Sequence, residues 1–336
     1  MKIAVVILNW NGRNWLEKFL PSVTTHSGAH TLYVADNAST DDSLQWLAVH
    51  YPAVNVIAMD SNRGYAGGYN EALKQIDEPI ACLLNSDIEV APEWLMPITQ
   101  RFVDDPKLAA LQPKILDFNN RDYFEYAGAA GGYLDRFAYP YCRGRIFNTI
   151  EKDLGQYNDR PSLDWASGAA FFVRMSVYHE VGGMDASYFA HQEEVDLCWR
   201  MRLAGYTISY EPESVVYHIG GGTLNALSPK KTFLNFRNSL FNIVKNDYSS
   251  YWFLILLLRM KLDGIAAVRF LVSLEFKHFA AVFKAHISFY IHFNDIWKKR
   301  LTGRQLKTQE NKAITSIVFQ YFIRGKRTFK SCKQEI

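Results

Sequence analysis

Residues 1–90 repeat one arrangement, in which a short apolar run ends in polar side chains and a helical pattern follows. The four runs are Ile3–Leu8, Thr31–Ala35, Asn55–Met59 and Ile80–Leu84. Apolar runs of this length, bounded by turn residues, are typical of strands buried on both faces of a parallel sheet. The alternation predicts an α/β fold with a Rossmann-like, mostly parallel central sheet and helices on both faces.

Polar side chains follow each of these predicted strands. In chain order they are Asn9 and Asn11, Asp36 and Asn37, Asn62 and Gly64, and Asn85, Ser86 and Asp87. In open α/β sheets, ligands bind at the carboxyl ends of the strands, so we expect these residues to share one ligand-binding edge. Asp87 is the first candidate for a carboxylate that holds a metal ion against a diphosphate.

A second group of candidates lies between residues 91 and 225. A predicted strand, Trp165–Arg174, carries small residues where a ligand could approach closely. A predicted helix, Tyr188–Arg202, has the acids Glu193, Glu194 and Asp196 in its first half, and His218 follows a later strand. Oxygen ligands and an imidazole suit Mg²⁺ or Mn²⁺. A carboxylate separate from the metal could accept a proton from an attacking hydroxyl.

Composition limits the class of partner and the compartment. The chain has 336 residues and a net charge of +3, which is too small to favour nucleic acid as a partner. Its four cysteines, Cys82, Cys142, Cys198 and Cys332, are scattered. This spacing favours reduced thiols in the cytoplasm over a disulfide framework or a zinc site.

Residues 226–336 differ in composition from the rest of the chain. Apolar, aromatic-rich runs alternate with lysine and arginine, and no run reaches the roughly 18 uncharged residues that a spanning helix needs. We expect a helical C-terminal appendage that lies against the inner face of the cytoplasmic membrane. Ordinary core helices or a dimer face are the alternatives for the same pattern.

The ordered set of motifs resembles the inverting family 2 glycosyltransferases of GT-A fold, in particular their rhamnosyltransferase-like branch. The matching segments begin with Val5–Gly12 and continue through Asp36–Asp41, Asn62–Asn70, Asn85–Asp87, Trp165–Ala169, Gly182–Asp185, Glu193–Arg200 and His218–Gly221. The resemblance implies a GT-A domain over residues 1–225. Its residues 1–90 would bind the nucleotide, and residues 91–225 would bind the acceptor.

The resemblance also implies roles for the candidate residues. Asp36 would contact the nucleobase, in a nucleotide-sugar pocket lined by Asn9, Asn11, Asn37, Asn62, Gly64, Asn85 and Ser86. Asp87 and His218 would hold Mg²⁺ or Mn²⁺ with the diphosphate. Trp165 and Gly168 would line the acceptor side. Glu194 falls where the family has its catalytic base, with Glu193 and Asp196 as the alternatives.

Two positions depart from the family pattern. Asn85 replaces the first acid of the D-x-D motif, and Glu194 replaces the usual aspartate. The expected reaction is transfer, with inversion, of rhamnose or another hexose from a nucleotide-diphosphate donor to a hydroxyl of a glycan or lipid-linked glycan, in surface polysaccharide synthesis. A sugar-phosphate nucleotidyltransferase and a non-catalytic, membrane-peripheral saccharide-binding protein are the alternatives.

Overall fold

The computed structural model describes residues 1–220, 228–300 and 314–333. The strands are, in chain order, β1 (Ile3–Asn9), β2 (Thr31–Asp36), β3 (Asn55–Ala58), β4 (Ile80–Asn85), β5 (Ile88–Val90), β6 (Leu108–Asp117), β7 (Gly132–Leu134), β8 (Pro140–Cys142), β9 (Arg145–Ile146), β10 (Thr149–Ile150), β11 (Ala170–Arg174) and β12 (Thr207–His218). The α-helices are α1 (Arg13–His26), α2 (Ser43–His50), α3 (Gly64–Leu73), α4 (Leu95–Asp104), α5 (Met175–Glu180), α6 (Glu193–Leu203), α7 (Pro229–Asn246), α8 (Trp252–Val272), α9 (Phe276–Lys298) and α10 (Phe329–Lys333).

The central sheet has eight strands in the order β3-β2-β1-β4-β11-β6-β12-β5. Strands β3, β2, β1 and β4 are parallel, and β6 and β12 are parallel to each other, whereas β11 and β5 pair antiparallel to their neighbours. Side chains of β1 alternate between two buried clusters, with Ala4 and Val6 in one and Val5 and Ile7 in the other. The predicted α/β fold with a mostly parallel sheet is confirmed.

Several elements differ from the sequence-based expectation. The glycine-rich segment Asn62–Asn70 predicts a turn that leads into a helix over Asn70–Gln75, but residues 64–68 already form the start of α3, and Gly64 takes a φ of +69° there. By contrast, the aromatic and glycine-rich composition of residues 118–163 predicts irregular structure and hairpins, and this segment does include the hairpins of the small antiparallel sheet β10-β9-β8-β7. The sequence predicts two short strands, Thr207–Tyr210 and Val215–Tyr217, but the structure has one strand, β12, with a register irregularity between Glu211 and Val215.

The segment from residue 188 to 202, expected to be one helix, is divided. A 3-10 turn covers Ala186–Tyr188, and α6 begins only at Glu193. Between them, Phe189, His191 and Gln192 have positive φ angles, which a continuing right-handed helix does not allow. The first acid of the cluster therefore stands at the first position of α6.

The C-terminal region is helical, as expected, and packs against the central domain through α7. Residues from Asn238 to Asn246 on this helix are all buried. Helices α8 and α9 pack on α7 and on each other. Among the described residues, no helix combines the length and apolar character that crossing a bilayer requires.

Candidate active site

The carboxyl ends of the central strands bring the predicted donor-side residues together. In the sheet register, Asn9 at the end of β1 pairs with Asp36 at the end of β2, and Leu8 pairs with Asn85 at the end of β4. Asp87 lies two residues beyond the end of β4 and is 2% exposed. The sheet thus places these side chains along one edge, because parallel strands end on the same side.

Asp36 organises the loops at the nucleotide side of this edge. Its Oδ1 accepts a hydrogen bond from Asn9 Nδ2 at 3.0 Å, and its Oδ2 accepts one from Ser39 N at 2.9 Å. Asn11 Oδ1 in turn accepts from Thr40 N at 2.7 Å. These bonds fix the loop after β1 against the loop after β2, so that Asn11 stays exposed beside the buried Asp36.

Asn37 ties the next loop to the same edge. Its Nδ2 donates to Asn62 Oδ1 at 3.1 Å and to Gly64 O at 3.0 Å, and its Oδ1 accepts from Arg63 N at 2.9 Å. A Cβ at Gly64 would lie 2.6 Å from Phe189 O. This position is therefore restricted to glycine by both space and its positive φ.

Asp87, His218 and Glu125 form a buried chain of charges at the end of β4. His218 Nε2 lies 3.1 Å from Asp87 Oδ1, and Nδ1 lies 3.1 Å from Glu125 Oε2. Burial alone would lower the pKa of His218, but the Glu125 and Asp87 carboxylates raise it to about 10. At neutral pH the imidazole is therefore positively charged between the two acids.

The donor set is chemically suited to a divalent cation, although it is small. Carboxylate oxygen and imidazole nitrogen are ligands for Mn²⁺ and Mg²⁺, and Asn85 Nδ2 lies 3.4 Å from His218 Nε2 on the same side. Among the described residues, no group of three or more His, Cys, Asp or Glu side chains has the arrangement of a metal site. A metal held by Asp87 and His218 would thus take its other ligands from substrate phosphates and water, and Nε2 would have to lose its proton.

Ser86 and Gly220 lie close to other residues of the donor edge. Ser86 is half-buried, and its Oγ would lie 3.8 Å from a Cβ at Gly12 in the loop after β1. Gly220 approaches Glu125 so closely that a Cβ would lie 2.7 Å from Oε1. Gly221, which the family resemblance includes, lies outside the described residues.

Asp196 is occupied by a structural ion-pair network. Its Oδ2 accepts from Arg200 and from Lys245 Nζ, the latter at 2.9 Å, while Oδ1 accepts from Asn246 Nδ2 at 2.8 Å. Burial opposes ionisation, but Arg200 and Lys245 hold the pKa of Asp196 below its ordinary value. The interpretation of Asp196 as an alternative base is therefore not supported, because a fully buried, doubly paired carboxylate has a low proton affinity and cannot reach a substrate.

Glu193 and Glu194 form no such ion pair within residues 1–220, 228–300 and 314–333. Each has a buried Oε2 without a hydrogen-bond partner among the described residues. Burial raises the pKa of Glu194 to about 7, and only backbone N–H groups oppose this shift. Burial and then the charge of Glu194 raise the pKa of Glu193 well above its ordinary value. Glu194 is thus the acid whose proton affinity suits a general base near neutral pH.

Trp165 and Gly168 occupy different surroundings. Trp165 is 4% exposed, its Nε1 donates to Tyr133 O at 3.0 Å, and its ring lies where a side chain at Gly132 would be. The expectation that Trp165 lines the acceptor side is therefore not supported, because its ring faces the core. Gly168 is half-buried, and its carbonyl accepts from Tyr65 Oη at 2.5 Å.

Tyr65 and Glu125, which the sequence analysis did not identify, lie near both the donor edge and the acids of α6. Burial raises the pKa of the Tyr65 hydroxyl, and Tyr69, Glu193 and Glu194 raise it further, so α3 lies close to the acids of α6. After burial, the charges of Glu125 and Glu194 both raise the pKa of the Cys142 thiol, although Arg145 opposes them. Glu125 lies in the segment that was expected to be irregular, and no motif marked it.

Comparisons with known proteins identify the family of the chain. The model of the family described as "Glycosyl transferase family 2" matches residues 4–182. An N-acetylglucosaminyl-diphospho-decaprenol L-rhamnosyltransferase of Mycobacterium tuberculosis is 25% identical over 74% of this chain and 86% of its own length. Rhamnosyltransferase WbbL of Escherichia coli K12 is 24% identical over 64% of this chain and 83% of its own length.

A solved structure shows the same fold. The crystal structure of GalNAc-T7 with UDP, GalNAc and Mn²⁺ superposes with a TM-score of 0.59 at 16% identity, over 75% of this chain and 50% of that one. The family match does not favour the nucleotidyltransferase or the non-catalytic saccharide-binding alternative. The chain belongs to glycosyl transferase family 2 and is a glycosyltransferase with a GT-A fold.

Proposed function

We propose that the chain transfers a sugar, with inversion, from a nucleotide-diphosphate donor to a hydroxyl of a glycan or lipid-linked glycan. The observation that carries this proposal is Glu194, a carboxylate with a pKa of about 7 and with an oxygen that has no hydrogen-bond partner in the described part of the chain. Glu194 and Glu125 both raise the pKa of the Cys142 thiol, so both carboxylates lie near it. Glu125 in turn pairs with His218 at the donor edge. A base and a diphosphate site close to each other are the two requirements of a single displacement at the anomeric carbon.

In this reaction, the hydroxyl oxygen of the acceptor forms a bond to the anomeric carbon while Glu194 accepts the proton of that hydroxyl. The bond from that carbon to the diphosphate breaks in the same step, and the diphosphate leaves with the bonding electrons. Asp87 and His218 would hold Mg²⁺ or Mn²⁺, which when bound neutralises charge on the diphosphate. Asp36, Asn11 and Asn62 would contact the nucleoside and sugar, and Asn85 and Ser86 the phosphate side.

Rhamnose is the donor sugar that the relatives favour. Two relatives that match most of their length are named rhamnosyltransferases, and one of these names a lipid-linked N-acetylglucosamine as its acceptor. We therefore propose a rhamnosyl donor or another hexosyl donor, and a polyprenyl-diphosphate-linked glycan as the acceptor, in the synthesis of a surface polysaccharide.

A transfer assay tests this function directly. The purified chain is incubated with nucleotide-diphosphate sugars, a rhamnosyl donor among them, and with a lipid-linked N-acetylglucosamine acceptor, with Mn²⁺ or with a chelator. We expect release of nucleoside diphosphate and a glycosylated acceptor of inverted anomeric configuration. No turnover and no nucleotide binding with any donor would contradict the proposed function.

We also propose that α8 and α9 lie on an anionic membrane surface at the cytoplasmic side. Apolar side chains with helical spacing are exposed on both helices, and they are Leu254, Leu257, Ile265, Val268 and Val272 on α8 and Phe276, Phe283, Ile287 and Tyr290 on α9. Exposed cations lie among them, including Lys261 and Lys284. This combination of apolar surface and positive charge favours an interface rich in anionic lipid.

Negative charge placed on this surface should weaken membrane binding. The double variant Val268→Glu/Ile287→Glu should lose at least about tenfold in affinity for phosphatidylglycerol-containing vesicles, because burial of two apolar side chains is replaced by repulsion. Val49→Glu is the matched control, since Val49 is 74% exposed on α2. Equal vesicle binding by wild type and double variant, or concentration-dependent dimers of the wild type that the double variant abolishes, would contradict a membrane partner.

A further inference from the structure

One face of α7 carries a stripe of buried polar side chains. Asn238, Asn242, Lys245 and Asn246 recur at helical spacing, and each is at most 4% exposed. Burying amide and ammonium groups costs free energy unless they are hydrogen-bonded, and apolar side chains would pack such a helix at lower cost. The bonds that these groups make therefore indicate what the face does.

The partners of the stripe lie in one short segment, residues 185–196, which leads into α6 and carries Glu193 and Glu194. Phe189, His191 and Gln192 in this segment have φ angles of 65°, 68° and 72°. Left-handed conformations cost non-glycine residues roughly 1 kcal/mol or more each, so external contacts must hold such a loop.

Asn238 makes most of these contacts. Its Nδ2 lies within hydrogen-bond distance of three carbonyls of the loop, at 3.1 Å from Tyr188 O, 3.1 Å from Ala190 O and 2.7 Å from His191 O. Its Oδ1 accepts from Arg237 Nε at 2.9 Å, which fixes the orientation of the amide. One side chain thus spans the left-handed turn that ends at the N-terminus of α6.

The rest of the stripe holds both sides of this turn. Asn242 Oδ1 accepts from Tyr188 Oη at 2.7 Å, and Lys245 Nζ donates to Asp185 and to Asp196, each at 2.9 Å. Immediately after α9, Lys299 Nζ adds a bond to Asp185 Oδ1 at 2.7 Å. The segment is therefore held on both sides of the turn by side chains of the C-terminal region.

The turn also touches the donor side of the site. Tyr65, in the first turn of α3, donates from its backbone N–H to Phe189 O at 2.8 Å. The hydroxyl of the same tyrosine donates to Gly168 O. We propose that Asn238 is a positioning residue for catalysis: by holding the left-handed turn, it sets where Glu194 stands relative to the donor edge. This inference rests on the proposed function of Glu194 as the base.

The test compares Asn238→Ala with Asn235→Ala, whose asparagine lies on the same helix and makes no hydrogen bond to residues 188–192 in the described structure. For Asn238→Ala we expect kcat to fall by about 10- to 100-fold with the donor KM within about threefold, because misplacement of a base by about 1 Å costs rate rather than donor binding. Hydrogen exchange at residues 186–196 should accelerate. Asn235→Ala should change neither quantity, and Asn238→Ser, which keeps one donor, should be intermediate.

Several outcomes would overturn the inference. A folded Asn238→Ala variant with wild-type kcat would contradict it, as would exchange that accelerates over the whole domain instead of at residues 186–196. If the alanine variant does not fold, Asn238→Ser decides in the same way. If the wild type transfers no sugar, the proposed function fails, while hydrogen exchange still shows whether Asn238 holds the turn.

Discussion

Replacing Glu194 by glutamine should lower kcat by about 10²- to 10⁴-fold, because the amide cannot accept the proton of the acceptor hydroxyl. Affinity for the nucleotide sugar should stay within a few-fold of wild type, since the donor site is built from other residues. Transfer kinetics and calorimetric donor titration measure the two quantities separately.

The pH dependence of the wild type follows from the same carboxyl. Glu194 must be ionised to act as a base, and burial raises its pKa to about 7. The rate should therefore rise with pH through about 7 and level off above about 8. A rate that is independent of pH between 5 and 8 at saturating substrates would contradict the assignment.

Stability should change in the opposite direction. A carboxyl whose pKa is raised by folding stabilises the fold below its unfolded pKa, and this contribution is lost as the pH rises through the folded value. At pH 8, Glu194→Gln should accordingly be more stable than wild type, by up to about 3 kcal/mol, and at pH 4 the two should be equal. Urea unfolding at both pH values measures the difference.

Glu193→Gln is the matched control. Burial and the charge of the neighbouring Glu194 raise the pKa of the Glu193 carboxyl well above its ordinary value, which disfavours the ionised form that a base needs. We expect this variant to retain most of its kcat. A larger loss for Glu193→Gln than for Glu194→Gln would assign the base to Glu193.

The donor edge could be predicted from the sequence because its signal is local. Each apolar run predicted a strand, and parallel strands place the residues that follow them at one edge. Asp36, Asn85 and Asp87 needed no knowledge of distant contacts to be placed together. The sequence did not predict the start of α3, because glycines normally disfavour helices. In the structure, the missing side chain of Gly64 leaves room for the carbonyl oxygen of Phe189 at this position.

Side-chain direction could not be predicted in the same way. Trp165 and Asp196 lie in motifs of the site, yet one ring packs on Gly132 and one carboxylate is paired with Arg200 and Lys245. A motif places a residue on an element, but the partners that bury it come from other parts of the chain. The same limit hid Glu125, whose contact with His218 depends on the irregular path after β6.

The polar face of α7 shows how misleading a local pattern can be. Asparagines at positions 238, 242 and 246 have the spacing of a solvent-exposed helix face. The structure buries all of them against residues 185–196. A domain boundary at residue 225 would therefore separate α7 from the left-handed turn that its side chains hold. Composition indicated the change in character there but not the contact across it.

Replacing Asp87 by asparagine should lower kcat/KM by about 10³-fold, because loss of the motif's remaining acid weakens the metal–diphosphate interaction by several kcal/mol. Asn85 already lacks a charge, so no neighbouring acid of the motif can substitute. The calorimetric affinity for nucleotide sugar should fall in the presence of Mn²⁺ and should be unchanged when a chelator is present. Since Asp87 raises the pKa of His218, the pKa of this imidazole should fall in the variant.

Glu89→Gln is the control for this substitution. Glu89 lies in β5, two residues beyond Asp87, and pairs on the surface with Arg121 at 2.8 Å. Exposed ion pairs contribute little, so stability should change by less than about 1 kcal/mol, and activity and Mn²⁺ dependence should stay at the wild-type level. If Asp87→Asn responds to Mn²⁺ as the wild type does, Asp87 holds no metal. His218 would then act on the diphosphate as a cation between Glu125 and Asp87, and His218→Ala would become the more damaging substitution.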